Sequence, residues 1–104
     1  MISLQRKIAV YVNDSQIAQH VAELLARKYG GSTSLLGFGW WISQDTAQIE
    51  NVYYVFAFCK EISKEDLDEI VKKISQWLDK EEAIAMEIDG RMFLFSPKEN
   101  IIID

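Results

Sequence analysis

Cysteine and histidine are nearly absent from the chain. With one cysteine and one histidine among 104 residues, no intramolecular disulfide can form, and no Cys/His cluster has the spacing of a metal site. A chain without disulfides fits a reducing cytosol, so we expect a cytoplasmic protein. His20 has no second ligand or nucleophile as a partner, and Cys59, which ends an apolar run, is interpreted as a buried structural thiol. We therefore expect neither a metal nor a cofactor.

Basic residues are a minority. Lys and Arg together number 11 against 16 Asp and Glu, which gives a net charge of -5. Nucleic-acid-binding proteins normally carry a basic face that displaces phosphate counterions, so nucleic acid is not an expected partner. An anionic membrane surface is disfavoured for the same reason. No apolar run approaches the roughly 18 residues of a membrane span, and residues 1–7 lack the apolar core of a signal peptide.

Motifs for phosphate binding are missing. Gly37-Phe38-Gly39 lacks the third glycine of a dinucleotide-binding fingerprint and lies inside a predicted strand, and there is no Walker lysine. The turn of residues 30–33 follows a helix C-terminus, whose dipole repels anions, so we interpret it as a cap and a turn. No complete catalytic motif stands elsewhere, so the residues alone do not identify a reaction.

What the chain has is the composition of one globular domain. Hydrophobic residues make up 49% and charged residues 26%, so a packed core is expected over residues 1–104 as a single domain. A domain of this size buries only about two-thirds of its unfolded surface, so self-association would add to its stability.

The first third of the chain predicts a strand and a helix. Residues 8–12 are apolar on both faces, as in a central strand. Asn13 followed by Gln16 resembles a capping box, and Gly30 ends the helix. The apolar helix face recurs at helical spacing through Ile17, Val21, Leu24, Leu25 and Tyr29.

The middle of the chain predicts two long strands separated by a polar bend at residues 44–48. In the second strand we assign Leu36, Phe38, Trp40 and Ile42 to the core beneath the helices. The opposite face then holds Thr33, Leu35, Gly37, Gly39 and Trp41, with a shallow trough at the two glycines. The trough indicates either close approach of a ligand or a bulge. The third strand is apolar on both faces and is expected to be central.

The last part of the chain predicts a second helix and a hairpin. Ser63 caps the helix, and Ile62 with Leu67 forms a hydrophobic staple. Residues 83–88 and 91–95 form two strands joined by Asp89-Gly90, a turn that needs positive φ. The apolar tail, residues 101–104, is expected to pack on this chain or on a second copy.

This order, β-α-β-β-α-β with an extra C-terminal strand, predicts an α+β ferredoxin-like sandwich. Two helices cover one face of an antiparallel sheet whose first and third strands are central. To the other face we assign seven residues: Ala9, Tyr11, Leu35, Trp41, Tyr53, Val55 and Ala57. An apolar face of that size is too large to leave in water, so we expect a homodimer or a bound molecule to cover it.

The polar and aromatic groups on and around this face are the candidate site. Glu50 opens an apolar strand near two tryptophans, and a carboxylate in that setting can serve as acid or base. A solvated strand end is the alternative interpretation. Six residues besides Glu50 and Tyr11 are candidates for ligand binding or an interface: Thr33, Gly37, Gly39, Trp41, Tyr53 and Arg91.

Three segments together resemble a family pattern: residues 29–33, Gly37 to Trp41, and Glu50 before an apolar strand. Small uncharacterised bacterial and phage proteins share a Gly-Gly-x-Thr turn, a Gly-x-Trp strand and a later glutamate. The resemblance implies the ferredoxin-like fold and gives weight to Thr33, Gly39, Trp41 and Glu50. It implies no activity.

Three functions are compatible with these features. The first, which the lack of a nucleophile–base pair favours, is a non-enzymatic homodimer that binds or inhibits a protein partner, for example a phage protein that acts on a host protein. The second is a binder of a small ligand, for example a nucleotide or metabolite, with an aromatic pocket at the open face or dimer interface. The third is a dimeric ferredoxin-like enzyme with Glu50 as the base.

Overall fold

The computed structural model describes residues 1–98 and 102–103, which form one antiparallel sheet and two helices. The elements are β1 (Arg6–Val12), α1 (Ser15–Tyr29), β2 (Thr33–Ser43), β3 (Thr46–Cys59), α2 (Lys64–Trp77), β4 (Ile84–Ile88), β5 (Arg91–Phe95) and β6 (Ile102–Ile103). The strand order is β2-β3-β1-β4-β5-β6. This is the predicted ferredoxin-like α+β architecture, with β1 and β3 inside the sheet and additional strands at the C-terminal side.

The hydrophobic core lies between the two helices and one face of the sheet. Its fully buried large side chains come from β1, β3, β4, β5 and both helices: Ile8, Val10, Val21, Leu25, Val55, Ile70, Ile74, Ile84, Met86 and Phe95. The predicted apolar stripes of both helices face this core. Burial of each such side chain stabilises the fold by about 1.5–3 kcal/mol.

Short-range signals in the sequence placed most element ends correctly. Gly30 adopts φ 91° and ends α1, and the Ser63 hydroxyl accepts a hydrogen bond from the Asp66 N–H at 3.0 Å. Asp89 and Gly90 have φ values of 51° and 84°, as a two-residue hairpin turn requires. Of the tail, Ile102–Ile103 pairs with β5, whereas Ile101 and Asp104 lie outside the described residues.

The cap of α1 was predicted one residue too early. Asp14, not Asn13, caps the helix: its Oδ1 accepts hydrogen bonds from the N–H groups of Gln16 and Ile17 at 2.9 and 3.0 Å. Asn13 instead donates to Glu81 at 3.3 Å. Asp and Asn are about equally good caps, so composition could not choose between neighbouring positions.

The β2–β3 hairpin is longer than predicted. Gln44 and Asp45 alone form its turn, with φ values of 50° and 63°, and pairing resumes at Thr46. The predicted bend over residues 44–48 was therefore wrong at Thr46, Ala47 and Gln48. β1 ends at Val12, which pairs with Tyr53, so residues 37–52 form a two-stranded extension of the sheet, which we call the arm.

The predicted core assignment of β2 was wrong. Its residues do lie on the helix side, because Leu36 pairs with Tyr53 and shares its face. The arm, however, extends past both helices, so nothing covers this row in the described chain. The exposed fractions are 59% for Leu36, 67% for Phe38, 67% for Trp40 and 70% for Ile42.

The predicted assignment of residues to the two faces of β3 was also wrong in part. Val55 and Ala57, assigned to the open face, pair with Val10 and Ile8 and are buried beneath the helices. Tyr53 lies on the same side, packed against the core. Because both faces of this strand are apolar, alternation of polar and apolar residues could not decide its orientation.

The two glycines of the predicted trough have different environments. A Cβ at Gly39 would lie 2.7 Å from Cγ2 of Val52, whereas at Gly37 the nearest neighbour is the Val52 carbonyl oxygen at 4.0 Å. The chain's own Val52 therefore occupies the space above Gly39, and only the surface above Gly37 stays open.

We expect Gly39→Ala to destabilise the protein by about 1–3 kcal/mol, because the added methyl group overlaps a stiff β-branched side chain. Gly37→Ala, the matched control, should change stability by less than about 0.5 kcal/mol. Urea unfolding measures both. Adding Val52→Ala should recover part of the Gly39→Ala loss, and no recovery would contradict the proposed overlap.

Asp89 joins the β4–β5 turn to β1. Its carboxylate accepts hydrogen bonds from the Lys7 backbone N–H at 2.9 Å and from Arg6 Nε at 2.7 Å. The Lys7 N–H, and after it Arg6, lowers the pKa of Asp89 below its usual value. The contribution to stability is therefore present above the unfolded pKa of about 4 and is lost as the pH falls through the lower folded pKa.

We expect Asp89→Asn to lower the melting temperature at pH 7, because asparagine keeps the turn conformation but loses the charge. The difference from the parent chain should shrink as the pH is lowered from about 4 through the lower folded pKa, where the parent carboxyl becomes protonated too. Thermal unfolding over pH 2–7 measures this. A difference that stays constant with pH would contradict the role of the charge.

Candidate functional site

The face of the sheet opposite the helices carries a continuous set of apolar side chains, which we call the open face. Paired residues of neighbouring antiparallel strands lie on the same side, so the register identifies its members. Its apolar members are Ala9, Tyr11, Leu35, Trp41, Val52, Tyr54, Phe56, Phe58, Ala85, Met92 and Leu94, and its polar members include Lys7, Thr33, Gln48, Glu50 and Glu87. Five of its apolar side chains are 40% exposed or more: Leu35, Trp41, Phe58, Met92 and Leu94.

A polar cluster lies at the centre of the open face. The Tyr54 hydroxyl donates to Glu87 Oε1 at 2.9 Å, and Lys7 Nζ lies 3.7 Å from Glu87 Oε2. Lys7 Nζ also lies 4.9 Å from the ring centroid of Phe56 and 5.0 Å from that of Tyr54. The Lys7 charge is thus compensated by a carboxylate and by aromatic rings.

The protonation states in this cluster follow from those contacts. The contact with Tyr54 and the carboxylate of Glu87 raise the pKa of Lys7 above its usual value. Burial, with Glu87 next to it, raises the pKa of Tyr11. At neutral pH Lys7 is therefore a cation, and Tyr11 is a neutral phenol that can donate a hydrogen bond.

A pocket opens where β1 ends and the arm begins. Its cavity volume is about 170 Å³. The lining residues come from β1 and the residue after it, from β3 and β4, and from the segment after α2: Tyr11, Val12, Asn13, Glu50, Val52, Leu78, Glu81, Ala83, Ile84 and Ala85. Ligand pockets usually measure about 300–1,000 Å³, so this one alone encloses only part of a nucleoside-sized molecule.

The charges of the pocket are of one sign. Glu50 and Glu81 line it, Asn13 donates to Glu81, and the lining includes neither lysine nor arginine. Two carboxylates beside an aromatic ring attract a cation and repel phosphate. The geometry therefore disfavours phosphorylated nucleotides and favours a ligand with positive charge and an apolar or aromatic body.

The structure brings some of the predicted site residues together. Tyr11 and Glu50 line the same pocket, and Glu50 pairs with Gly39 across the arm. Trp41 lies on the same side of β2 as Gly39, two residues further out, and is 45% exposed. Glu50 is exposed, as in the alternative interpretation, but it lies inside β3 and not at a strand end, because the strand begins at Thr46.

The other predicted residues lie elsewhere. Thr33 pairs with Phe56 and lines a separate depression with Gly30 and Gly31. Tyr53 is on the helix side. Arg91 shares the helix side too, as the partner of Ile88, with its guanidinium 5.8 Å from the ring centroid of Phe93. A joint site of Glu50 with Arg91 is therefore not formed within one chain.

Sequence reasoning missed Asn13 and Glu81 in the pocket and Lys7, Tyr54 and Glu87 in the central cluster. Glu81 follows α2, and only the folded chain brings it to the end of β1. A signal did exist for the cluster, because Lys7 and Glu87 are charges in otherwise apolar strands. Their meeting depends on the pairing of Ala9 with Glu87 and Phe56, which the sequence does not specify.

The remaining reactive side chains do not build a second site. Within residues 1–98 and 102–103 no three His, Cys, Asp or Glu side chains are grouped to hold a metal ion. The His20 ring is stacked on Trp77 with a centroid distance of 5.5 Å, and Cys59 is buried, which raises the pKa of its thiol. No helix in the described part of the chain is long and apolar enough to cross a membrane.

The chain is similar to known proteins in its structure only. No protein-family model and no curated protein sequence matches the chain. Among solved structures, a phage SAM lyase in complex with S-methyl-5'-thioadenosine is similar, with a TM-score of 0.59, 16% identity and 92% of each chain covered.

Two further solved structures are similar. The apo state of a phage SAM lyase has a TM-score of 0.56 and 15% identity, with 92% of this chain and 94% of that chain covered. CutA from Synechococcus elongatus has a TM-score of 0.54 and 15% identity, with 89% of this chain and 80% of that chain covered. These likenesses show that the chain has the ferredoxin-like fold of these small proteins, one of them from a phage.

Proposed function

We propose that the protein is a cytoplasmic, phage-type homo-oligomer, a homodimer at its simplest, that binds and cleaves an S-adenosyl sulfonium compound. The observation that carries the proposal is the pocket at the end of β1, where Tyr11 lies with the carboxylates of Glu50 and Glu81 and no basic side chain. The fold likeness to a phage SAM lyase supports this choice among cationic ligands.

The charge of a sulfonium compound fits this pocket. A positive charge about 4 Å from a carboxylate gains on the order of 1–4 kcal/mol between the dielectric constants of water and of a protein surface. An aromatic ring facing the cation adds about 0.5–1 kcal/mol at an exposed site. The adenosine part would extend along the apolar open face, where Trp41 and Val52 lie beside Glu50.

The reaction we propose is cleavage of the bond between the sulfonium sulfur and the amino-acid chain. Both bonding electrons pass to sulfur, which becomes the neutral thioether of S-methyl-5'-thioadenosine. In the proposed step Glu50 accepts a proton from the carbon next to the one that loses sulfur, and the electrons of that C–H bond form a C=C bond, so the chain leaves as an unsaturated amino acid. Glu50 then passes the proton to water, and the Tyr11 hydroxyl would orient the carboxylate. Product release is favoured because the neutral thioether no longer interacts strongly with the carboxylates.

The second candidate is the non-enzymatic interaction module that binds a protein partner, such as a host protein met by a phage protein. The arm favours it, because large apolar side chains on its surface are exposed. This candidate and the plain ligand binder differ from the lyase in turnover: neither consumes S-adenosyl-L-methionine.

We expect the purified protein to convert S-adenosyl-L-methionine to S-methyl-5'-thioadenosine, measured by liquid chromatography with mass spectrometry. Glu50→Gln should lower the rate by about 10²–10⁴-fold, the usual contribution of a general base, while the ligand still binds in isothermal titration calorimetry. Tyr11→Phe should show a smaller loss.

Glu23→Gln is the matched control, because Glu23 is exposed on α1 away from the pocket and its change should leave the rate unaltered. Binding without turnover in the parent protein would identify a ligand binder and exclude the lyase. Absence of both binding and turnover would leave the interaction module as the function.

A further inference from the structure

The arm carries a row of large apolar side chains that nothing in the described chain covers. On its helix side, Phe38 and Trp40 are each 67% exposed, Ile42 is 70% exposed and Ile49 is 50% exposed. At its base, Leu36 continues this helix-side row with an exposed fraction of 59%. Taking about 200 Å² for each large side chain, the exposed apolar area of these five residues is on the order of 600 Å².

The arm needs a cover to be stable. It consists of two strands only, and an isolated two-stranded hairpin is at best marginally stable in water. Its outer strand, β2, contains neither a charged residue nor a proline over Thr33–Ser43, the features that usually protect an edge strand from pairing. The exposed area is about three-quarters of the roughly 800 Å² that each partner buries in a stable protein–protein interface.

The open face is the matching unpartnered surface. Phe58, Met92 and Leu94 on it are 48%, 48% and 40% exposed. The distance from β3 to β5 across this face is about 14 Å, and the row from Phe38 to Ile42 is about 13 Å long. The charges Lys7 and Glu87 are already paired with each other on that face, so covering it leaves neither charge uncompensated.

We infer that the arm of one copy packs its helix side on the open face of a second copy of this chain. A second copy is the fitting occupant because it supplies both an uncovered apolar row and an uncovered apolar face of matching length. Each chain carries a net charge of -5, so copies repel each other and contact is favoured only where apolar surface is buried. The arm and the open face are the two large apolar surfaces of that kind. The arrangement covers both at once.

This contact specifies how the copies of the proposed homo-oligomer are joined. It rests on the proposed function in one respect, the completion of the ligand pocket. The pocket of Tyr11 and Glu50 lies at the root of the arm, and its cavity of about 170 Å³ lacks a wall on the open side. An arm from the second copy lying on the open face would supply apolar side chains next to Tyr11. The site is then complete only between copies.

A charge exchange between two variants tests the contact. Trp40→Lys changes the arm and Leu94→Glu changes the open face; both side chains are exposed, so folding should be retained, which circular dichroism checks. Each variant alone should weaken self-association at least tenfold in sedimentation velocity and native mass spectrometry. An equimolar mixture should recover mixed oligomers, because lysine on one copy then meets glutamate on the other.

Gln76→Lys is the matched control, since Gln76 is exposed on α2 and lies in neither surface, and it should leave association unchanged. Met92→Glu replaces Leu94→Glu if the latter does not fold. The inference is overturned if the parent protein is monomeric, or if the mixture stays dissociated. Turnover of S-adenosyl-L-methionine is measured separately, so the self-association result holds even if the protein neither binds nor cleaves that compound.

Discussion

The rest of the structure depends on one mismatch in length between neighbouring strands. β1 ends at Val12, opposite Tyr53, but the ladder between β2 and β3 continues outward from Gly37 and Val52 to Ser43 and Thr46. Inside that boundary, the helices and the sheet form a closed core. Beyond it, the two-stranded arm has no helix packed on either face in the described residues. The molecule is accordingly elongated, with extents of 49, 29 and 25 Å.

The same boundary creates the pocket. Where β1 stops, β3 keeps going, and the side chain of Glu50 lies beside a position that a longer β1 would have filled. Tyr11 and Asn13 at the end of β1 and Glu81 after α2 form the other walls. Polar groups can collect there because the sheet no longer offers a neighbouring strand. The chemistry of the site is thus a consequence of where one strand ends.

The sequence was informative wherever a feature depends on a few adjacent residues. Ser63, Gly30 and Asp89-Gly90 each require a local backbone shape that few residues permit, so their roles could be predicted. The orientation of β3 could not be predicted, because both its faces are apolar and a shift by one residue exchanges them. The exposure of Trp40 could not be predicted either, since a hydrophobic row looks the same whether the chain's own helices cover it or another surface does.

The candidate site was only partly predictable for a related reason. Glu50 was identified because it is a charge at the start of an apolar strand, and Tyr11 because it lies in a central one. Their position in one pocket depends on the register of β1 with β3, in which Val12 meets Tyr53. Glu81 comes from a segment more than 60 residues further along the chain than Asn13, its hydrogen-bond partner. Such contacts are set by the tertiary fold and not by local pattern.

The position of the tryptophans has a spectroscopic consequence. Trp40 and Trp41 lie on the arm, while Trp77 is stacked on His20 at the end of α2. Two of the three indole groups therefore report on the surroundings of the arm and only one on the body of the domain. The intrinsic fluorescence of this protein is dominated by the arm. Its emission maximum therefore responds to the polarity around the arm before it responds to unfolding of the core.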